Sequence, residues 1–254
     1  MLVSTPIVLI HGLIGSLQLP DLSGLLAPHR VLAPDLLGYG AQRQRVAAEL
    51  SLDAQVEYLR GIVAQHFGDE PVHLVGHSVG GVVAALFACR YGARVRSLVS
   101  VEGNFSLKDA FWSARVAAMT PAEVEALLAG YRRDPAGWLA GAGVVPTAET
   151  LRVAECWLAQ QPASTVQAMA QAVVAETAPA AYRDRLRALF ARIPVHLIAG
   201  EHSRAGWDVP AWAESAAASQ SLIPGCGHLP MLERPAAFAQ AVATALDGLR
   251  GSPH

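Results

Sequence analysis

Apolar residues in this chain fall into two spacings. The first is a set of short segments, mostly apolar, that read as strands: Pro6 to Ile10, Arg30 to Pro34, Val72 to Val75, Ser97 to Val101, Val195 to Ala199 and, more polar, Ser219 to Ile223. Runs this brief, rich in Val, Ile and Leu, are the pattern of strands covered on both faces, as in a parallel sheet. The second spacing is helical. Ser51 opens a segment with Leu52, Val56, Leu59 and Val63 on one face, and Phe67-Gly68 ends it. Val82 to Tyr91 reads as a buried helix closed by Gly92, and Pro235 starts a last helix with Phe238, Val242, Leu246 and Leu249 inward. The residues after Leu249 are expected to fray. Strand, helix and strand in succession predict parallel neighbours joined by right-handed crossovers.

Between Phe105 and about Arg192 the pattern changes. No strand is expected there, and helix signals crowd together: a capping box at Thr120-Pro121-Ala122-Glu123, then helices over Ala148 to Leu158, Ser164 to Val174 and Ala180 to Ala191. A simple crossover needs far fewer residues. The expected organisation is a core of residues 1–104 and 193–254 with a helical lid inserted at 105–192. Phe111, Trp112, Tyr131, Trp138 and Trp157 fall in the insert, where lid-to-body packing explains them somewhat better than an acyl pocket.

Composition narrows the class. The 254 residues are 52% hydrophobic with a net charge of −2, and the mean hydropathy is +0.31. No apolar run approaches the ~18 residues of a membrane span, and the charge balance offers no footing for nucleic acid. The three cysteines, Cys89, Cys156 and Cys226, are odd in number and far apart, which fits a reducing compartment. Met1-Leu2-Val3 runs almost directly into a strand without a charged leader, so the expected location is cytoplasmic. No His or Cys spacing suggests a metal site.

The chemistry concentrates at strand ends. Gly76-His77-Ser78-Val79-Gly80-Gly81 joins a strand to a helix with almost no turn residues. Ser78 must then take a strained conformation, and side chains at 76 and 80 would collide where helix and strand nearly touch. Strain lifts the Ser78 hydroxyl clear of the sheet and aims the Val79 N–H at whatever the hydroxyl attacks. His11-Gly12-Leu13-Ile14-Gly15 closes the first strand, and the Leu13 N–H is a candidate second donor for an oxyanion. His11 reads as a brace for this loop and Asp35 as a cap for Asp35-Leu36-Leu37-Gly38-Tyr39-Gly40. His66 and His73 fall on a helix face and a strand, and His77 is expected to point away from the attack direction.

Together with Gly227-His228 and Glu233-Arg234-Pro235, these pieces stand in the order and spacing of the α/β-hydrolase superfamily, which the chain resembles over nearly its whole length. The resemblance implies an α/β-hydrolase fold, a mostly parallel sheet of about six strands flanked by helices with an inserted lid. The family's first strands are expected to be reduced or missing. It further implies Ser78 as nucleophile and His228 as general base, and it requires no cofactor. The family's usual acid, an aspartate after the second-last strand, is missing: that turn reads Gly200-Glu201-His202-Ser203, with Ser203 in its place. Glu102, just past the strand that follows the elbow, matches the alternative position used in branches such as the haloalkane dehalogenases. Asp208 and Glu201 are its rivals, and a chain with no acid remains a third reading. The implied activity is hydrolysis of a carboxylic ester or thioester of a small, free or carrier-bound acyl substrate. Carbon–carbon hydrolysis, lactone opening, lyase or cofactor-free oxygenase chemistry, and a non-catalytic ligand-binding member, are the alternatives.

Overall fold

The computed structural model describes residues 4–19 and 21–247. In chain order its elements are β1 (Pro6–Ile10), α1 (Leu22–Leu25), β2 (Arg30–Leu32), α2 (Leu52–Phe67), β3 (Val72–His77), α3 (Val79–Arg90) and β4 (Val95–Val101). There follow α4 (Phe111–Ala117), α5 (Pro121–Arg133), α6 (Pro135–Gly141), α7 (Ala148–Ala159), α8 (Ala163–Thr177) and α9 (Ala180–Phe190). The chain then adds β5 (Val195–Gly200), α10 (Ala211–Ala216), β6 (Ser219–Ile223), α11 (Pro230–Glu233) and α12 (Pro235–Asp247). The six strands form one sheet in the order β2-β1-β3-β4-β5-β6, and every neighbouring pair is parallel. The expected α/β architecture therefore holds.

Alternation along each strand builds two cores. Val8, Ile10, Leu74, Leu98 and Leu197 join α2, α3 and α9 in one buried cluster. Ile7, Leu9, Val75, Val99 and Ile198 join α1 and α12 in the other. Both faces are covered, which is why these strands read as continuous apolar runs rather than as alternating ones. Local signals set the helix starts: the Ser51 hydroxyl accepts from the Ala54 N–H, and Thr120 with Glu123 completes both halves of a capping box.

Several boundaries differ from expectation, each for a physical reason. β2 stops at Leu32, short of Pro34, which lacks the N–H a ladder needs. β3 runs on through Gly76 and His77, paired with Ser100 and Val101, and α3 begins at Val79 rather than Val82. The turn between them is thus the single residue Ser78. The sequence pattern does not predict α1, α4, α6, α10 or α11; α6 is capped by the Asp134 carboxylate on the Gly137 N–H with Pro135 at its first position. Leu249 and the tail lie outside the described residues. Between β4 and β5 the described chain holds six helices and no strand. Among the described residues no helix is long and apolar enough to cross a membrane.

Candidate active site

The carboxyl ends of β1, β3, β4 and β5 deliver the groups of interest to one edge of the sheet. His77 pairs in register with Val101, so Ser78 and Glu102 are the next residues on adjacent strands. The Ser78 N–H donates to the Val101 carbonyl at 2.9 Å and the Glu102 N–H to that of Ile198 at 3.1 Å. Ser78 has φ 52° and Glu102 φ 47°, the two non-glycine residues with positive φ among those described. Backbone in that region costs on the order of 1–3 kcal/mol per residue and persists only where the surroundings impose it.

Packing imposes it at Ser78. A Cβ on Gly76 would stand 2.5 Å from the Gly80 carbonyl oxygen, and one on Gly81 would stand 2.6 Å from the Cα of Gly103. A Cβ on Gly80 would overlap the carbonyl oxygens of Ile10 and His11 at the end of β1. The elbow is therefore clamped between β1 and the segment after β4. At Gly12 the missing side chain leaves His77 Nδ1 3.0 Å and Ser78 Cβ 3.3 Å from the Cβ position. That contact sets the Gly12-Leu13 peptide beside Ser78. Val79 is the first residue of α3, so its N–H has no partner within the helix.

His228 arrives on the loop after β6, and that loop is pinned residue by residue. The Gly225 N–H donates to the Glu201 carboxylate at 2.8 Å, and the Gly227 N–H donates to Glu233 Oε1 at 2.9 Å. The Cys226 carbonyl accepts from the His202 N–H at 3.0 Å. The His228 carbonyl accepts from His77 Nε2 at 2.8 Å. The imidazole of His228 donates from Nδ1 to Glu102 Oε2 at 2.7 Å, which leaves Nε2 of the neutral ring free to accept a proton.

Glu102 is buried. Its other oxygen accepts from the Gly200 N–H at 2.9 Å and the Ser203 hydroxyl at 2.5 Å. Burial alone pushes this carboxyl up, but the donors from His228, Ser203 and Gly200 outweigh it and hold its pKa below the ordinary value. The rivals are engaged elsewhere. Asp208 accepts from the Ser106 hydroxyl at 2.6 Å, and Glu201 accepts from Gly225 as described. His11 braces its loop as expected, donating from Nδ1 to the Gly12 carbonyl at 2.8 Å and accepting the Leu36 N–H at Nε2, 3.2 Å. Asp35 caps its loop through the Ala41 N–H at 2.9 Å.

A model of the alpha/beta hydrolase family matches residues 7–241. The chain belongs to that family. The structure of MenH from S. aureus superimposes with a TM-score of 0.78 at 20% identity, covering 97% of this chain and 95% of that one. A thermophilic esterase from Thermogutta terrifontis gives 0.68 at 24% identity, over 96% and 89%. At these identities the likeness is one of fold. In sequence, Lipase 3 of Moraxella sp. (strain TA144) is 30% identical over 112 residues, 44% of this chain and 34% of the lipase. The 2-hydroxy-6-oxo-2,4-heptadienoate hydrolase of Pseudomonas putida is 34% identical over 115 residues, 41% of this chain and 40% of that enzyme. The matched stretches thus span less than half the length of these relatives.

Within this hydrolase fold two residues near the family's site were not anticipated. His77 is buried with its ring centroid 4.7 Å from that of His228 and supports the His228 backbone. Ser203 turned out to be a ligand of Glu102. Among the described residues no three His, Cys, Asp or Glu side chains gather to hold a metal ion. A surface recess of about 510 Å³, lined by Ala47, Pro121, Glu125, Gln167 and Gln171 among others, does not touch Ser78, Glu102 or His228.

Proposed function

We propose that the protein is a serine hydrolase that cleaves a carboxylic ester or thioester of a small-molecule acyl substrate through an acyl-enzyme on Ser78. The reading is carried by one observation: the 2.7 Å bond from His228 Nδ1 to Glu102, which orients the free Nε2 as a base on the sheet edge that presents Ser78. A serine hydroxyl is a poor nucleophile until an imidazole takes its proton. In this reading His228 Nε2 accepts the Ser78 proton as Oγ attacks the acyl carbonyl. The N–H groups of Leu13 and Val79 receive the oxyanion, each such donor contributing roughly a hundred- to a thousandfold in rate. Collapse expels the alcohol or thiol, which leaves with the proton from His228. Water, deprotonated by the same Nε2, then releases the acid and restores Ser78. Glu102 keeps the proton on Nδ1 and stabilises the imidazolium.

In the same reading residues 105–192 are the cap. Support comes from both sides of the site: the Trp157 ring of α7 stacks on Gly15, 2.9 Å from where a Cβ would stand, and the Ala142 carbonyl after α6 approaches Gly227. A panel of p-nitrophenyl acyl esters tests the reading, with saturable turnover of at least one acyl length expected. Carbon–carbon bond hydrolysis is the second reading, favoured by the likeness to the heptadienoate hydrolase. An enzyme of that kind leaves the ester panel nearly untouched and consumes a vinylogous 1,5-diketone.

A further inference from the structure

Ser203 stands on the turn after β5, where a serine excites no expectation of chemistry. Its hydroxyl nonetheless ends 2.5 Å from Glu102 Oε1 and 3.3 Å from the Gly200 carbonyl. A hydroxyl has one proton, and the shorter contact to an anion is where it goes. Glu102 Oε1 already accepts the Gly200 N–H. With Ser203 added, that oxygen carries two donors, and Oε2 alone faces His228. The carboxylate cannot swing out of its plane, away from His228, without giving up both bonds.

The backbone explains why such a clamp is needed. Glu102 has positive φ and a side chain with three rotatable bonds. A glutamate left free at the end of a strand samples several rotamers, and most of them move its oxygens away from His228. The Gly200 N–H is a fixed donor on β5, and Ser203 supplies a second donor to the same oxygen.

We infer that Ser203 is a positioning residue of the site, acting through Glu102 to hold the carboxylate in the one orientation that serves His228. The inference rests on the triad reading proposed above. Other titratable groups that interact with this carboxylate are His228 itself, His77, Glu233 on α11 and Cys226 on the loop after β6, whereas the Ser203 hydroxyl bonds to Glu102 and the Gly200 carbonyl.

The test pairs kinetics with a signal that needs no substrate. Ser203→Ala is expected to lower kcat about tenfold, the order lost with one hydrogen bond to a charged group, with KM changed less than about twofold. Ser203→Thr, which keeps the hydroxyl, restores the parental values. In a Glu102→Gln background Ser203→Ala has no further effect on kcat, since both act on one function. Independently of turnover, the downfield proton resonance of the His228–Glu102 hydrogen bond shifts or broadens in Ser203→Ala and not in Ser203→Thr. An unchanged resonance in Ser203→Ala, or an equal loss of kcat with and without Glu102, overturns the inference. Failure of the parental protein to react with a fluorophosphonate overturns the serine-hydrolase reading instead, and the resonance still decides the role of Ser203.

Discussion

Ser78 and Glu102 occupy equivalent positions, one residue past the paired ends of β3 and β4, and both hold their backbone at positive φ. Two strained residues side by side in register are unusual. Here the strain at Ser78 has a visible cause, and the turn at Glu102 a visible result. Glycines at 76, 80 and 81 let strand, helix and the Gly103 segment close around Ser78. The turn at Glu102 brings its carboxylate to His228, Ser203 and Gly200.

If Glu102 orients the base, Glu102→Gln lowers kcat by about 10⁴, the scale of triad-acid replacements. Asp208→Asn leaves kcat within about twofold, because Asp208 is bound to Ser106. Steady-state kinetics on any ester that the parent turns over separates the two. Exchanged effects would reassign the acid without disturbing the fold.

Gly80 offers a test of the clamp. An alanine there drives its methyl into the Ile10 and His11 carbonyl oxygens, and backbone cannot step aside as a side chain does. Gly80→Ala is expected to cost about 3 kcal/mol or more, read as a fall in the urea midpoint. Gly130→Ala on α5, where nothing lies within 4 Å, is expected to be neutral or slightly stabilising.

Burial, and then the neighbouring His228, push His77 down to about 3 from 6.5. The unfolded chain therefore binds a proton at this histidine between about pH 6.5 and 3 that the folded chain does not. Stability contributed here is complete above pH 6.5 and is lost as pH falls through that window, at up to about 1.4 kcal/mol per pH unit. Burial lowers His11 in the same direction. Urea denaturation across pH 4 to 7 is expected to show a shallower slope for His77→Gln, which keeps an N–H for the His228 carbonyl and does not titrate.

Much of the fold could be read in the sequence because its signals are local. Pro6 to Ile10 coincides with β1, since short apolar runs bounded by turns have few other uses, and Ser219 to Ile223 coincides with β6. Ser51 and Thr120 set helix starts through bonds spanning three residues. α6 escaped notice because Gly137 and Gly141 depress helix propensity, although Asp134-Pro135 is a legible cap and first-turn signal. What local sequence could not supply was the contact of His77 with the His228 carbonyl, 151 residues away, or of Ser203 with Glu102, 101 residues away. The resemblance pointed to Glu102 by position. Its engagement with His228 rather than solvent depends on β4 and β5 being neighbours and on the loop after β6 folding over them.

The most direct measurement is intact-protein and peptide mass spectrometry after brief exposure to a fluorophosphonate. Activation of Ser78 by His228 predicts a single adduct on the Ser78 peptide, lost in Ser78→Ala and slowed by orders of magnitude in His228→Ala. No adduct on the folded parental protein, or one that persists unchanged in His228→Ala, would contradict it.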